Sequence, residues 1–166
     1  MVILIGAILF GGLVIIQSTI ISAMPLLNGT ADLILLTIVA WALQDRVESA
    51  WQWCLIGGVF ASLYTALPFG VLIAAYVIAT GIARLLKRRV WKVPFLAMLA
   101  AIFIGTLIVH MLSLIARLIA GTNIPLIPSF NLIILPSLLL NILLAIPIFS
   151  LVRDLAGWLY PEELEV

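Results

Sequence analysis

Six apolar runs, separated only by short polar clusters, confine this chain to one kind of fold: helices inside a bilayer. The runs are Val2–Met24, Asp32–Leu43, Ala50–Leu67, Phe69–Leu86, Pro94–Ala120 and Leu132–Val152. A membrane-crossing helix needs about 20 mostly apolar residues, at about 1.5 Å rise each, for a hydrocarbon core of about 30 Å. Of 166 residues, 66% are hydrophobic and 9% charged. No polar stretch is long enough for a soluble domain. The expectation is an all-α integral membrane protein, with residues 1–166 forming a single transmembrane domain and a six-helix bundle. Period-2 alternation is absent, which argues against an outer-membrane barrel. With a net charge of +1 and no basic face, nothing suits nucleic acid. Cys54 is the single cysteine, so it can form neither an internal disulfide nor a metal cage, and reads as a small core hydrophobe. The first run lacks a basic n-region and exceeds the about 7–15 residues of a signal-peptide core, so it reads as a retained helix.

The charges orient the bundle. With a cytoplasmic N-terminus and six crossings, the inner loops hold Arg46, the cluster Lys87, Arg88, Arg89 and Lys92, and Arg153, with Arg84 one turn inside the bilayer. The outer loops, around residues 25–31, Pro68 and residues 121–131, hold no Lys or Arg. That satisfies the positive-inside rule and places both termini in the cytoplasm. Trp41, Trp51, Trp53, Trp91 and Trp158 then fall at inner ends, where an interfacial belt is expected. The second run is the weak point. Asp32–Leu43 makes only about 18 Å of helix, and Asn28-Gly29 reads as a turn that stops its extension. If it does not cross, five spans satisfy the charges equally well.

Small residues recur four apart at Ala7/Gly11, Gly57/Ala61, Gly58/Ser62 and Gly70/Ala74. In lipid such pairs let helix backbones approach closely, within the bundle or against a partner helix. Pro68-Phe69-Gly70 forces the third and fourth runs into a helical hairpin. Pro136 and Pro147 each free a carbonyl within the sixth run, which neighbouring helices must then satisfy. Leu155–Val166, with Glu162, Glu163 and Glu165, reads as a short acidic cytoplasmic tail.

The fifth run carries a polar stripe: Thr106, His110, Ser113 and Arg117 are spaced four, three and four apart and share a helix face. Arginine inside a span costs roughly 2.5–3.5 kcal/mol on insertion scales, so such residues are functional candidates. Arg117 lies about 6 Å from the outer end by helical rise and can snorkel; His110, about 16 Å in, is near the midplane. Asp32 also starts at the outer face, and an Asp32–Arg117 ion pair is expected to close the second run onto the fifth. No metal cluster, nucleophile elbow or phosphate loop accompanies these residues, so enzymatic chemistry finds no support. The cluster Arg84, Lys87, Arg88, Arg89 and Lys92 reads as a topology anchor on anionic lipid, or as a dock for an acidic cytoplasmic partner.

Several short motifs resemble one family. Gln17-Ser18-Thr19 closes the first helix; Asp32-Leu33-Ile34-Leu35-Leu36 runs on to Trp41-Ala42-Leu43; Gly58 and Phe69-Gly70 follow; and Asn141, Pro147 and Arg153 mark the last helix. Taken together the chain resembles the MreD family of bacterial rod-shape-determining membrane proteins. It departs from the family pattern at Ala31, where a proline is usual, and at Ser62, where an aspartate is common. The resemblance implies a fold like the S-components of energy-coupling-factor transporters. It also implies a non-enzymatic scaffold in the bacterial cytoplasmic membrane, without a cofactor. Such a scaffold binds MreC and works with MreB, RodA and a class B penicillin-binding protein in cell elongation and peptidoglycan synthesis. The rival is a true S-component binding a small molecule through Gln17, Ser18, Thr19, Asp32, Ser113, Arg117 and Asn123.

Overall fold

The computed structural model describes residues 2–21, 28–89, 94–122 and 125–161. Among them the chain is helical, without a β-sheet. We number the helices α1 (Val2–Ile16, carried on by a π-helical turn, Gln17–Ile21), α2 (Leu33–Leu43), α3 (Ala50–Tyr64), α4 (Val71–Arg89), α5 (Pro94–Ile119) and α6 (Leu126–Leu159, with a π-helical turn at Phe130–Ile134). Three helical stretches, Val2–Thr19, Phe95–Ile119 and Leu126–Leu159, are long and apolar enough to cross a membrane.

The centre of the molecule is the shortest of these helices. All 11 residues of α2 are buried, enclosed by α1, α3, α4, α5 and α6. Its sequence, apolar throughout apart from Thr37, fits a helix that meets protein on every side. Thr37 donates its hydroxyl to Leu33 O at 2.8 Å, so its polar group is satisfied without leaving the helix.

The segment before α2 starts at the turn expected at Asn28-Gly29, with Asn28 in a turn and Gly29 in a bridge. From that turn, residues 28–32 run along α6 as an extended segment, called the strand below. Asn28 N–H donates to Leu132 O at 3.0 Å, Thr30 N–H to Ser137 Oγ at 3.0 Å and Asp32 N–H to Asn141 Oδ1 at 2.7 Å. The partners advance from 132 to 141 along a helix, about 13.5 Å at about 1.5 Å per residue, while the strand advances from 28 to 32. That is about 3.4 Å per strand residue, the rise of an extended chain. Each of these three backbone donors is thus satisfied by α6.

Pro136 explains why α6 can accept the strand. Having no N–H, it leaves Leu132 O without its helical donor, and Asn28 N–H takes that place. Gly29 permits the approach. A Cβ there would stand 2.6 Å from Ser137 N and 2.8 Å from Ile133 O. Pro147, by contrast, is at an exposed position of α6, whose buried residues include Ser137, Asn141, Ala145 and Val152.

The Gly58/Ser62 and Ala7/Gly11 pairs pack within the bundle, and Gly70/Ala74 does not. Gly58 is closed against α4, where a Cβ would stand 3.1 Å from Ile73 Cα, so it seals the α3–α4 hairpin and is not open to a partner. Ser62 is buried on the same face. Gly11 faces Phe60 of α3, and Ala7 is half-buried beside it. Gly70 belongs to the turn rather than to α4, with φ +98°, a left-handed conformation that favours glycine; Ala74 is exposed.

Trp41 and Trp53 are not interfacial. They stack with centroids 3.8 Å apart and planes 7° from parallel, both fully buried between α2 and α3. Their indole N–H groups donate to Ser49 Oγ at 3.2 Å and Val2 O at 3.3 Å, which is what lets tryptophan enter a core. Trp51 and Trp158 are exposed; Trp91 lies outside the described residues.

The stretch expected to be a solvated tail is partly structural. α6 continues through Leu159, with Ala156 and Leu159 buried, and Tyr160 OH reaches Ser49 Oγ at 3.2 Å. The three glutamates lie outside the described residues.

Candidate functional site

A polar cavity of about 240 Å³ opens between α2, α4, α5 and α6, and its wall includes Asp32, Thr106, His110, Ser113, Arg117 and Asn141. The stripe read from α5 and the two polar residues from α2 and α6 therefore meet at one place. The site lies toward the C-terminal end of α5, the end opposite the basic cluster that precedes that helix.

Asp32 anchors it. The residue caps α2, its Oδ1 accepting Leu35 N–H at 2.9 Å, as an N-cap carboxylate does. Tyr76 OH of α4 donates to the same carboxylate, 3.1 Å from Oδ1 and 2.9 Å from Oδ2. The half-helix N-terminus adds a favourable dipole for the negative charge. Behind Asp32 the buried amide of Asn141 joins three elements. Its Oδ1 takes the Asp32 N–H, and its Nδ2 donates to Thr106 Oγ1 at 2.9 Å. Gln17, from the π-helical turn after α1, makes a second bridge. Its Nε2 donates to Tyr64 OH at 2.7 Å and its Oε1 accepts Leu33 N–H at 2.9 Å.

The expected ion pair is not formed. Asp32 and Arg117 line the same cavity, yet no salt bridge joins them. The physical reason lies in the donors already present: Tyr76 and the α2 N-terminus stabilise the carboxylate where it sits. Arg117 is exposed at the end of α5. Ser113 donates back to Val109 O at 2.7 Å, a bond within its own helix.

Tyr64 and Tyr76 are the residues that sequence reasoning missed. The signal was available for Tyr76, the one hydroxyl-tipped ring in the fourth apolar run. A buried tyrosine hydroxyl needs a partner, and Asp32 needed a donor.

The basic cluster divides. Arg84 Nη2 donates to Val47 O at 3.1 Å, and Lys87 Nζ binds Gln44 O and lies 3.7 Å from Asp45 Oδ1. These two cations clamp the loop that joins α2 to α3. Arg88 is exposed. Lys92, the Arg89 side chain and Asn123 lie outside the described residues.

No family model, curated protein or solved structure matches this chain.

Proposed function

We propose that this chain is a non-enzymatic membrane scaffold of the MreD kind. In this reading it crosses the bacterial cytoplasmic membrane six times, with both termini inside, and binds a single-pass partner such as MreC. Through that partner it acts with MreB, RodA and a class B penicillin-binding protein in cell elongation and peptidoglycan synthesis. The observation that carries the reading is how the polar side chains of the bundle are used. Asp32, Tyr76, Asn141, Thr106, Gln17 and Tyr64 bind one another or backbone. They tie α1, α2, α3, α4, α5 and α6 together around a cavity of about 240 Å³. Small-molecule sites run from about 300 to 1,000 Å³. Interhelical hydrogen bonds of this type hold a bundle together in lipid, where apolar burial between helices adds little.

Six crossings fit the second run once the strand is included. α2 supplies about 16 Å and residues 28–32 about 16 Å more, together near the thickness of the hydrocarbon core. For the partner, α1 is the peripheral helix. Leu4, Ile8 and Ile15 are exposed, and Gly12 among them has nothing within 4 Å of a Cβ position, which leaves a face where a second helix can approach closely.

The convergence of Asp32, Tyr76, His110 and Arg117 on one cavity also favours a second reading, an S-component-like subunit that binds a small solute. Co-purification separates the two. The scaffold reading expects an MreC-like protein encoded beside this chain to be recovered with it from detergent, and Gly12→Leu to reduce that recovery without lowering the melting temperature. Failure to recover that partner, together with a vitamin that raises the melting temperature in a saturable way, would overturn it in favour of the second reading.

A further inference from the structure

Two opposite charges share a cavity inside this protein without pairing. Asp32 sits in its wall with the carboxylate fixed by Tyr76 and Leu35, and Arg117 lines the same space. A ligand that carries both signs would complement each of them. The route into the cavity says what else that ligand carries. His110, Ser113, Arg117 and Ile133 are shared with a neighbouring niche of about 130 Å³, which also includes Leu114, Ser129 and Ile134. Leu114 and Ile134 in turn belong to a groove of about 320 Å³ between α5 and the first turns of α6. Met111, Leu126, Ile127 and Phe130 complete that groove, and Asn131 is its one polar residue. The sequence of surfaces is therefore a carboxylate, then a guanidinium, then an apolar trough whose Leu126, Ile127 and Phe130 are exposed on the outside of the bundle.

We propose that these three spaces form one site for an aminophospholipid, with its ammonium toward Asp32, its phosphate at Arg117 and an acyl chain along the Met111–Phe130 groove. Arginine suits a phosphate through its fork of N–H donors. An ammonium offers donors to a carboxylate that a choline headgroup lacks. The 240 Å³ cavity is too small for most drug-sized ligands but holds a headgroup whose tails remain outside it. This site is independent of the scaffold reading, since neither requires the other.

The test is native mass spectrometry of the full chain in detergent, equilibrated with equal amounts of phosphatidylethanolamine, phosphatidylcholine and phosphatidylglycerol of identical acyl chains. Phosphatidylethanolamine is expected to be retained in preference to both others. Arg117→Gln, at an exposed position, should lower retention of phosphatidylethanolamine roughly tenfold, the loss of one charge-assisted bond. Asp32→Asn should bring phosphatidylethanolamine down to the level of phosphatidylcholine. Because Asp32 also caps α2, Leu114→Trp provides a second probe: it fills the junction of niche and groove and should lower retention at an unchanged melting temperature. Equal retention of the three lipids by the wild type, or an unchanged profile in both Arg117→Gln and Leu114→Trp, means annular lipid only and overturns the proposal. Displacement of the lipid by phosphoethanolamine alone, at the concentration of the intact lipid, would also overturn it, since the groove would then contribute nothing.

Discussion

Replacing Gly29 by alanine tests the seam between the strand and α6. The new Cβ would stand 2.6 Å from Ser137 N, 2.8 Å from Ile133 O and 2.8 Å from Pro136 Cβ. Two of these are backbone atoms of a helix and the third is in a proline ring, so none can rotate aside. Reaching an ordinary separation of about 3.5 Å requires the strand to lift by about 0.8 Å. The bonds from Asn28 N to Leu132 O and from Thr30 N to Ser137 Oγ, each 3.0 Å, then stretch beyond hydrogen-bond range. Each bond in a membrane protein contributes about 0.6 kcal/mol on average and up to about 1.7. Overpacking adds about 1–3 kcal/mol. The total, about 2–6 kcal/mol, is a large part of a typical folding free energy of about 5–15 kcal/mol. For a chain of this size that corresponds to a midpoint roughly 5–15 °C lower. Thermal unfolding in detergent, followed by tryptophan emission, reads it directly, because Trp41 and Trp53 are buried. Gly12→Ala, with open space around the new methyl, is the control and should melt like the wild type. If Gly29→Ala also melts like the wild type, the strand does not lie against α6 as described.

Asn141→Leu removes the acceptor for Asp32 N–H and the donor to Thr106 while keeping the volume, and should destabilise by about 1–3 kcal/mol in the same assay; no change would mean the amide is not the junction. Exchanging charges in the Asp32→Arg/Arg117→Asp double variant should give no rescue over the worse single variant, since the two side chains do not pair; recovery of wild-type stability would show that they do. Gly58→Leu must displace Ile73 Cα, 3.1 Å from the new Cβ, and should lower the yield of folded protein. Full yield of this variant with loss of partner recovery would return Gly58 to the docking surface.

The long apolar runs α1, α5 and α6 were legible because a bilayer imposes length and composition on anything that crosses it. The stripe from Thr106 to Arg117 was legible because helical spacing alone puts those residues on one face. The turn before the second run was legible, but its packing was not. Asn28-Gly29 has the composition of a turn, yet its glycine serves close approach to Ser137 and Ile133, residues more than a hundred positions away. No local pattern encodes such a neighbour. Trp41 and Trp53 were misplaced for a related reason: position near a polar boundary suggested the interface, whereas stacking and two acceptors from other segments make them core. Asp32 and Arg117 were correctly brought to one cavity, but pairing depends on Tyr76, a competitor that the charge pattern does not register.

The strand against α6 also sets an order on synthesis. Thr30 and Asp32 find their partners 107 and 109 residues later in the chain, and Asn28 finds its own on the same late helix. Until α6 is made, the Asn28, Thr30 and Asp32 N–H groups lack these acceptors. The first five helices are thus a lock waiting for its bolt, and a ribosome must finish nearly the whole message before the middle of the bundle can settle.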